Sequence, residues 1–366
     1  MHRVGLVVDS IRENSVGSGT YAKGLIDGLL KYDKINNYSF IDYEKTNYNK
    51  SNLNLISNPF IILKTYLWHL FLPLGLKKYN YDFVLNFATG APFLFAGNQK
   101  VILVIHDITL LLFPRTHPFN RVLFDKLFFQ NTINKVNKII VPSESTKRDL
   151  TKHYSVSENK IMVIFIPVKY TSVKISKVGN KVKFSFPYIL NINTIEPRKN
   201  ISSLIMAFNE LKKENHISHK LVICGELGWR YKSILNLVKN LKLEKEIIFM
   251  GYVTEEEKKY LYTKADVFVY PSLYEGFGIP VLEAQIYGCP VVASNTSSIP
   301  EVLGDGGIKI NPCRVDEIKK GIMKIIINND LRKKLIKMGF KQSKKYTDES
   351  LIKSKVEMLM DFMYSG

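Results

Sequence analysis

An α/β fold of two doubly wound parallel-sheet domains follows from three observations. Short apolar runs alternate with helical spacing of apolar residues through both halves of the chain, the pattern of a parallel sheet with helices on its faces. At 366 residues the chain exceeds what one core usually supports. Between the halves, residues 169–184 (KYTSVKISKVGNKVKF) are polar, basic and without periodicity, as a connection between domains is. The expected layout is a first domain over 1–168, a linker over 169–184, a second domain over 185–346, and a C-terminal helix over 347–366 that crosses back to the first.

In chain order, residues 4–8 are strand-like, and 21–30 have helical spacing after a Gly17-Ser18-Gly19 loop. Runs 83–87 and 100–105 are further short apolar strands. A long helical pattern covers about 121–136, and 138–142 is a strand. Ser143 or Ser145 caps the helix that continues through Leu150. Residues 161–166 close the first series. The second series is 188–191, 221–224, 247–250, 267–270 and 291–293, with helical patterns between. Residues 304–307 (GDGG) read as a surface turn, and 349–364 as the last helix. Two such halves leave a cleft, and parallel sheets bind ligands beyond the carboxyl ends of their strands.

Composition narrows the partners. Hydrophobic residues make up 46% of the chain, enough for packed cores and against disorder. The formal charge is +19, with 21 basic against 12 acidic residues up to position 170 and 31 against 21 beyond it. The excess is therefore spread over the surface and favours anionic partners such as nucleotide diphosphates or anionic headgroups. No nucleic-acid-binding motif accompanies it, so nucleic acid is not expected. Cys224, Cys289 and Cys313 lack metal-ligand spacing, and one stays unpaired in any disulfide scheme, which fits a reduced cytoplasmic compartment. The first nine residues hold too short an apolar run for a signal peptide. Residues 60–76 are the one membrane-like stretch, interrupted by Lys64, His69 and Pro73 and short of a ~20-residue span. They read either as buried core or as a surface lying on the inner face of an anionic membrane or receiving a lipid-linked acceptor.

Residues 271–284 (PSLYEGFGIPVLEA) follow an apolar strand and carry the densest chemistry. Gly276 and Gly278 permit unusual backbone angles, and Gly278 permits close approach. Pro280 suits a first helical turn, so the amides from Ile279 to Leu282 offer an anion site. Glu275 and Glu283 bracket it together with Phe277. Carboxylates beside a phosphate site suit sugar hydroxyls, hence a nucleotide sugar; solvated helix-start acids are the plain alternative. Arg198 and Lys199 sit at a strand-to-helix turn, where two cations can neutralise a diphosphate as it leaves, or form a solvated pair before a helix capped by Asn200. His106 ends a strand and can reach a sugar, with Asp107 either orienting it or capping the next segment. Glu144 is a weaker candidate, more simply a helix-start acid. The loop from Gly17 to Thr20 can bring amides to a diphosphate or be a simple turn. Gly225 and the Gly251-Tyr252-Val253 turn end two strands and give a base or ribose room against backbone. No Asp-x-Asp pair is present to hold a divalent ion on a diphosphate, so no metal or other cofactor is expected.

With these residues in place, the chain resembles the retaining glycosyltransferases of family four, of the GT-B fold with two Rossmann-like domains facing across a cleft. The resemblance runs in order through residues 17–21, His106-Asp107, 141–150, 196–200, 251–253, 274–283, 288–293 and 299–302, nearly the whole length. The first half, with the segment around Trp68 and Leu72-Pro73, is similar to mannosyltransferase-type members that build surface polysaccharides. The resemblance implies that Arg198 and Lys199 hold the donor diphosphate, Glu275 contacts the donor sugar, and Glu283 the ribose hydroxyls. It puts His106 near the transferred sugar and Gly19 near the phosphates. It also implies transfer with retention and without metal, the leaving diphosphate helping to take the acceptor's proton. Thr20 departs from the pattern, many relatives having arginine or another residue after the glycine. The expected reaction moves a hexosyl unit, mannosyl from GDP-mannose, to a glycan or lipid-linked glycan. The alternatives are a UDP- or dTDP-sugar donor, an epimerase on the same fold, or a non-catalytic basic scaffold.

Overall fold

The computed structural model describes residues 1–8, 17–42, 54–57, 79–87, 98–165, 179–214 and 217–365. The chain divides into two compact units. One comprises 1–114, 118–167 and 348–366, the other 115–117 and 168–347. The stretch 60–76 and most of the linker, 169–178, lie outside the described residues.

The first unit is a seven-stranded sheet in the order β3-β2-β1-β4-β5-β6-β7. Its strands are β1 (Arg3–Val7), β2 (Asn37–Asp42), β3 (Asn54–Ser57), β4 (Phe83–Asn86), β5 (Lys100–Val104), β6 (Lys138–Val141) and β7 (Ile161–Val163). All pairings are parallel. Central strands such as β1 and β4 are apolar and buried along almost their whole length, as a sheet covered on both faces requires. Strands β2 and β3 are absent from the expected series. NYSFID and NLIS are too polar to stand out as apolar runs, because β3 is an edge strand and β2 its neighbour.

Helix Glu349–Tyr364 belongs to this unit and buries Val356, Leu359 and Met363 in the same core as Ala22, Ile26 and Leu29 of helix Ser18–Tyr32. Gly28 makes the approach possible: a Cβ there would stand 3.0 Å from Ile352 Cγ2 and 3.2 Å from Val356 Cγ2. Of the two candidate caps, Ser143 holds helix Glu144–Tyr154, its side chain accepting from the Thr146 N–H.

The second unit is a six-stranded sheet in the order β10-β9-β8-β11-β12-β13. Its strands are β8 (Tyr188–Ile192), β9 (Lys220–Cys224), β10 (Ile247–Gly251), β11 (Val267–Tyr270), β12 (Val291–Ser294) and β13 (Gly307–Ile310). These also pair in parallel. One face packs on Leu204, Phe208, Ile318 and Ile322, the other on Tyr262, Val281, Leu282 and Val302. Val182, inside the expected linker, is fully buried in that second cluster. Of residues 304–307, Gly304 and Asp305 form the expected turn with Asp305 exposed, but Gly306 is buried, a Cβ on it would lie 2.5 Å from Gly339 Cα, and Gly307 begins β13.

Among the described residues no helix is long and apolar enough to cross a membrane. The three cysteines are unpaired, Cys224 and Cys289 buried and Cys313 exposed.

Candidate active site

The second sheet winds from β8 outward through β9 to β10, then returns to β11 beside β8. Adjacent loops leaving β8 and β11 must therefore part to opposite faces, which opens a crevice at their carboxyl ends. Both chemical motifs of this unit lie there. After β8 the chain makes a 3-10 turn, Pro197–Lys199, and Asn200 takes a left-handed conformation (φ 55°) before helix Ile201–Lys213. The Asn200 amide donates to the carbonyls of Pro271 (3.1 Å) and Pro312 (2.7 Å), and the Leu273 N–H donates to the Arg198 carbonyl (2.9 Å). These bonds tie the two loops together.

Glu275 is the centre of the arrangement. Its Oε1 accepts from Lys199 Nζ (2.6 Å), Ser272 Oγ (2.6 Å) and Tyr270 OH (2.9 Å), and its Oε2 from Arg198 Nη1 (3.2 Å). Arg198 also donates to the Tyr274 carbonyl (2.9 Å) and to Glu196 Oε1 (2.9 Å). Glu275 and Lys199 are buried. Burial alone would raise the Glu275 pKa, but the charges of Lys199 and Arg198 and their hydrogen bonds hold it down at about 2. Burial, then Arg198, pull Lys199 below the ordinary lysine value against the attraction of Glu275. At 2.6 Å from an ionised carboxylate, the ammonium keeps its proton at neutral pH.

The turn that carries Glu275 is clamped from a segment sequence reasoning passed over. Ser294 Oγ donates to the Ser272 carbonyl (2.7 Å), Thr296 Oγ1 to that of Leu273 (3.2 Å), and Ser298 Oγ lies 2.8 Å from the carbonyls of both Glu275 and Phe277, which share its one proton. Ser297 Oγ accepts from the Glu275 N–H at 3.0 Å. The hydroxyl-rich string SNTSS after β12 was the available signal.

The glycines and the helix start differ from expectation. Gly278 has φ 106° and precedes helix Ile279–Ile286, but the group that approaches it is Ile299, 2.7 Å from where a Cβ would stand. Gly276 is not among the glycines of positive φ. The expected four-amide anion site is smaller. Val281 and Leu282 donate back to the Gly278 carbonyl and Pro280 has no N–H, so Ile279 supplies the remaining donor of that series. Gly225 (φ 135°) serves its own backbone, since a Cβ would stand 1.9 Å from the Asn193 carbonyl oxygen. Tyr252 is 44% exposed beside β10, whereas Val253 is core. Phe277 packs edge-on against Tyr346.

Glu283 is held apart from the Glu275 cluster. Its Oε1 accepts from Lys258 Nζ (2.9 Å) and its Oε2 from Tyr262 OH (3.1 Å). Neither partner stood out in the sequence, because EEEKKYLYTK reads as a solvated charged helix.

In the first unit, His106 follows β5 and is buried against Tyr21, with ring centroids 5.2 Å apart at 88°. Burial pushes its pKa down to about 4, only partly offset by Asp107 and a hydrogen bond to the Phe87 backbone. The imidazole is neutral at neutral pH, and its Nε2 has no partner among the described residues. Asp107 turns out to cap: its Oδ1 accepts from the Thr109 N–H (3.0 Å) and hydroxyl (2.5 Å). Glu144 opens its helix. Gly17 (φ 65°) precedes helix Ser18–Tyr32 and accepts from the Tyr21 N–H, while Gly19 lies within the first turn of that helix. Among the described residues no cluster of three or more His, Cys, Asp or Glu side chains has the geometry to hold a metal.

The chain matches the family model of group 1 glycosyl transferases over residues 175–342 and that of glycosyltransferase family 4 over 42–169. It is 31% identical over 258 residues to the O-antigen chain mannosyltransferase B of Escherichia coli, covering 69% of this chain and 68% of that protein. It is 28% identical over 263 residues to the serotype-specific mannosyltransferase WbdA of the same species, where the match spans 68% of this chain but only 32% of the relative. The structure of Anabaena Alr3699/HepE, in complex with UDP and glucose, superposes with a TM-score of 0.75 over 99% of this chain and 100% of that one, at 15% identity. At that identity the likeness is one of fold.

Proposed function

The chain belongs to the family 4, group 1 glycosyltransferases of the GT-B fold, and on that premise we propose that it transfers a mannosyl unit from GDP-mannose, with retention and without metal, to a glycan or lipid-linked glycan of surface-polysaccharide synthesis. The observation that carries this reading is the Arg198–Lys199–Glu275 cluster in the β8/β11 crevice. Arg198 and Lys199 supply the positive charge a diphosphate needs, and the Ile279 amide adds a donor at a helix start. Glu275 accepts a hydrogen bond from the transferred sugar at Oε2, where Arg198 is its one other donor among the described residues, and Glu283 accepts from the ribose. In the first unit His106, neutral and with Nε2 without a partner among the described residues, suits a sugar hydroxyl. The activity for which the two E. coli relatives are named supports mannose as the sugar, and the first of those names supports O-antigen as the class of product.

The electrostatics of Glu275 bear on the chemistry. A carboxylate with a pKa of about 2, already accepting four hydrogen bonds, has no proton to give and little nucleophilicity. In the proposed step the bond from the sugar's anomeric carbon to the β-phosphate oxygen breaks, and the acceptor oxygen bonds that carbon on the same face. The acceptor's proton passes to the departing phosphate, which Arg198 and Lys199 stabilise.

Calorimetric titration with GDP, UDP, ADP and dTDP tests the donor, followed by transfer from the matching sugar nucleotide in excess EDTA. The expected outcome is selective GDP binding, turnover of GDP-mannose in EDTA and an α-linked product by NMR. Selectivity for UDP or dTDP would replace the donor, and activity restored only by magnesium would end the metal-free reading. An inverted product would end retention, and folded protein that binds no nucleotide would end the proposal.

A further inference from the structure

Glu283 is the carboxylate assigned to the ribose under the proposed function, and the role inferred here for Lys258 rests on that reading. Both Glu283 oxygens are held, Oε1 by Lys258 Nζ at 2.9 Å and Oε2 by Tyr262 OH at 3.1 Å. The two donors stand four residues apart on helix Glu255–Lys264, one turn above the other on a single face. That helix is itself fixed at its start. Thr254 and Glu257 form a reciprocal capping box, and Glu257 pairs with Lys181 at 3.1 Å. Tyr262 OH reaches the Pro280 carbonyl as well, at 3.3 Å, so the frame grips the helix that carries Glu283.

Lys258 is an unusual residue to bury. Its side chain is 11% exposed, and its second carboxylate partner, Glu255 at 2.8 Å, is itself largely in water. An aliphatic side chain would pack at this position without giving up the hydration of an ammonium, a loss that good pairing only offsets. Burial works to lower the Lys258 pKa, and the charges and hydrogen bonds of Glu283 and Glu255 more than reverse it. The side chain is therefore a cation held between Glu283 and Glu255.

We propose that Lys258 is a positioning residue for the donor: it locks the Glu283 carboxylate in the orientation that receives both ribose hydroxyls, and it cancels that carboxylate's charge toward an incoming anionic nucleotide. A carboxylate has roughly four acceptor positions, two on each oxygen. Lys258 and Tyr262 each use one, on different oxygens, which leaves one on each oxygen for a vicinal diol. A carboxylate fixed in advance loses no orientational freedom when the diol binds, whereas one free to swing does. An unneutralised Glu283 would also repel the diphosphate through a partly desolvated medium.

The test uses the full-length protein and calorimetry with GDP and UDP, each beside its 2′,3′-dideoxy analogue. Wild type is expected to favour the ribonucleotide by roughly 10- to 100-fold, the worth of one or two hydrogen bonds to a charged group. In Lys258→Met that preference falls to within about threefold, with the donor KM raised and kcat little changed. Lys258→Arg restores most of it, and Tyr262→Phe, which keeps the ring and removes one clamp, loses part of it. A packing role alone would weaken both nucleotides equally and leave the ratio untouched, and that result overturns the proposal. Glu283→Gln separates the two layers. If it abolishes the preference while Lys258→Met keeps it, only the role of Lys258 falls. If Glu283→Gln keeps the preference, the ribose assignment fails and this inference with it.

Discussion

In the first unit β1 lies between β2 and β4, and in the second β8 lies between β9 and β11, so each sheet reverses its winding at one gap. The two sheets are built alike to that point and filled differently beyond it. At the second gap, four charged side chains, Glu196, Arg198, Lys199 and Glu275, neutralise one another through contacts of 3.2 Å or less. In the first unit, Phe87 just past β4 is fully buried, and one strand further from the gap, past β5, His106 is a neutral imidazole set edge-on to Tyr21, its Nε2 without a partner among the described residues, with Asp107 beside it capping Thr109. One region stores paired charge. The other keeps a polar atom waiting in an apolar wall. The first design is costly to damage, because any lost member strands a buried charge, and the second is tolerant.

The largest expected effect tests that asymmetry directly. Glu275→Ala leaves the Lys199 ammonium buried without its counter-charge and should cost about 3–5 kcal/mol of stability in the second unit, along with sugar transfer. Lys199→Met should be similarly harmful, and Lys199→Met combined with Glu275→Gln should cost less than the two single losses added together. His106→Leu, which removes a polar atom with no partner among the described residues along with one backbone hydrogen bond, should change stability by about 1 kcal/mol. Urea unfolding gives all four values. Equal costs for Glu275→Ala and His106→Leu would erase the contrast between the two regions.

Acid sharpens the comparison, because the two groups lose their contributions over different pH windows. Glu275 has a folded pKa of about 2 against an ordinary 4.5, so its contribution is whole above pH 4.5 and fades only as pH falls toward 2. His106 has a folded pKa of about 4 against 6.5, so the first unit loses stability as pH falls from 6.5 to 4, by about 3 kcal/mol from this group. Asp125 opposes it there. Burial, against Arg121 and with Asp107, raises its pKa from 3.8 to about 6, so its protonation stabilises the fold by a similar amount over the same range. The wild-type first unit should therefore be nearly flat between pH 6.5 and 4. Asp125→Asn should expose the His106 slope, with the urea midpoint of first-unit peptides in pulsed hydrogen exchange dropping across that range. A flat Asp125→Asn profile would mean that His106 is not held neutral by burial.

The parts of this arrangement legible in the sequence are those written in contiguous residues. Apolar β8 and β11, the Arg198-Lys199 pair directly after one and the glycine–proline string after the other could all be read locally, and strand ends are where parallel sheets bring loops together. Strands β2, β3 and β13 escaped because polar or glycine-led strands near a sheet edge carry no apolar run. Lys258 and Tyr262 escaped for a tertiary reason: in EEEKKYLYTK nothing local says which lysine turns inward, since the answer lies 25 residues away at Glu283. Gly276 and Gly225 show the converse. Gly276 looked like a turn of unusual backbone angles and Gly225 like room for a ligand, yet Gly276 has no positive φ and Gly225 makes room for the Asn193 carbonyl.

The smallest effect expected is a gain. Arg198 Nη2 lies 2.9 Å from Glu196 Oε1 while Nη1 is shared between Glu275 and the Tyr274 carbonyl, so a diphosphate that recruits this guanidinium must displace or out-compete a carboxylate. Glu275 is deeply fixed by Lys199, Tyr270 and Ser272, which makes Glu196 the partner that yields. Glu196→Gln keeps the shape and an acceptor oxygen but removes one negative charge facing the incoming anion. Nucleoside diphosphate should then bind about 3- to 10-fold more tightly at low salt, the range of one charge-assisted contact freed from competition. Calorimetry with GDP and UDP reads it. Weaker binding would reverse the role: Glu196 would be holding Arg198 ready for the phosphate, and the stored charge of the second gap would be preorganisation that a ligand uses as it stands.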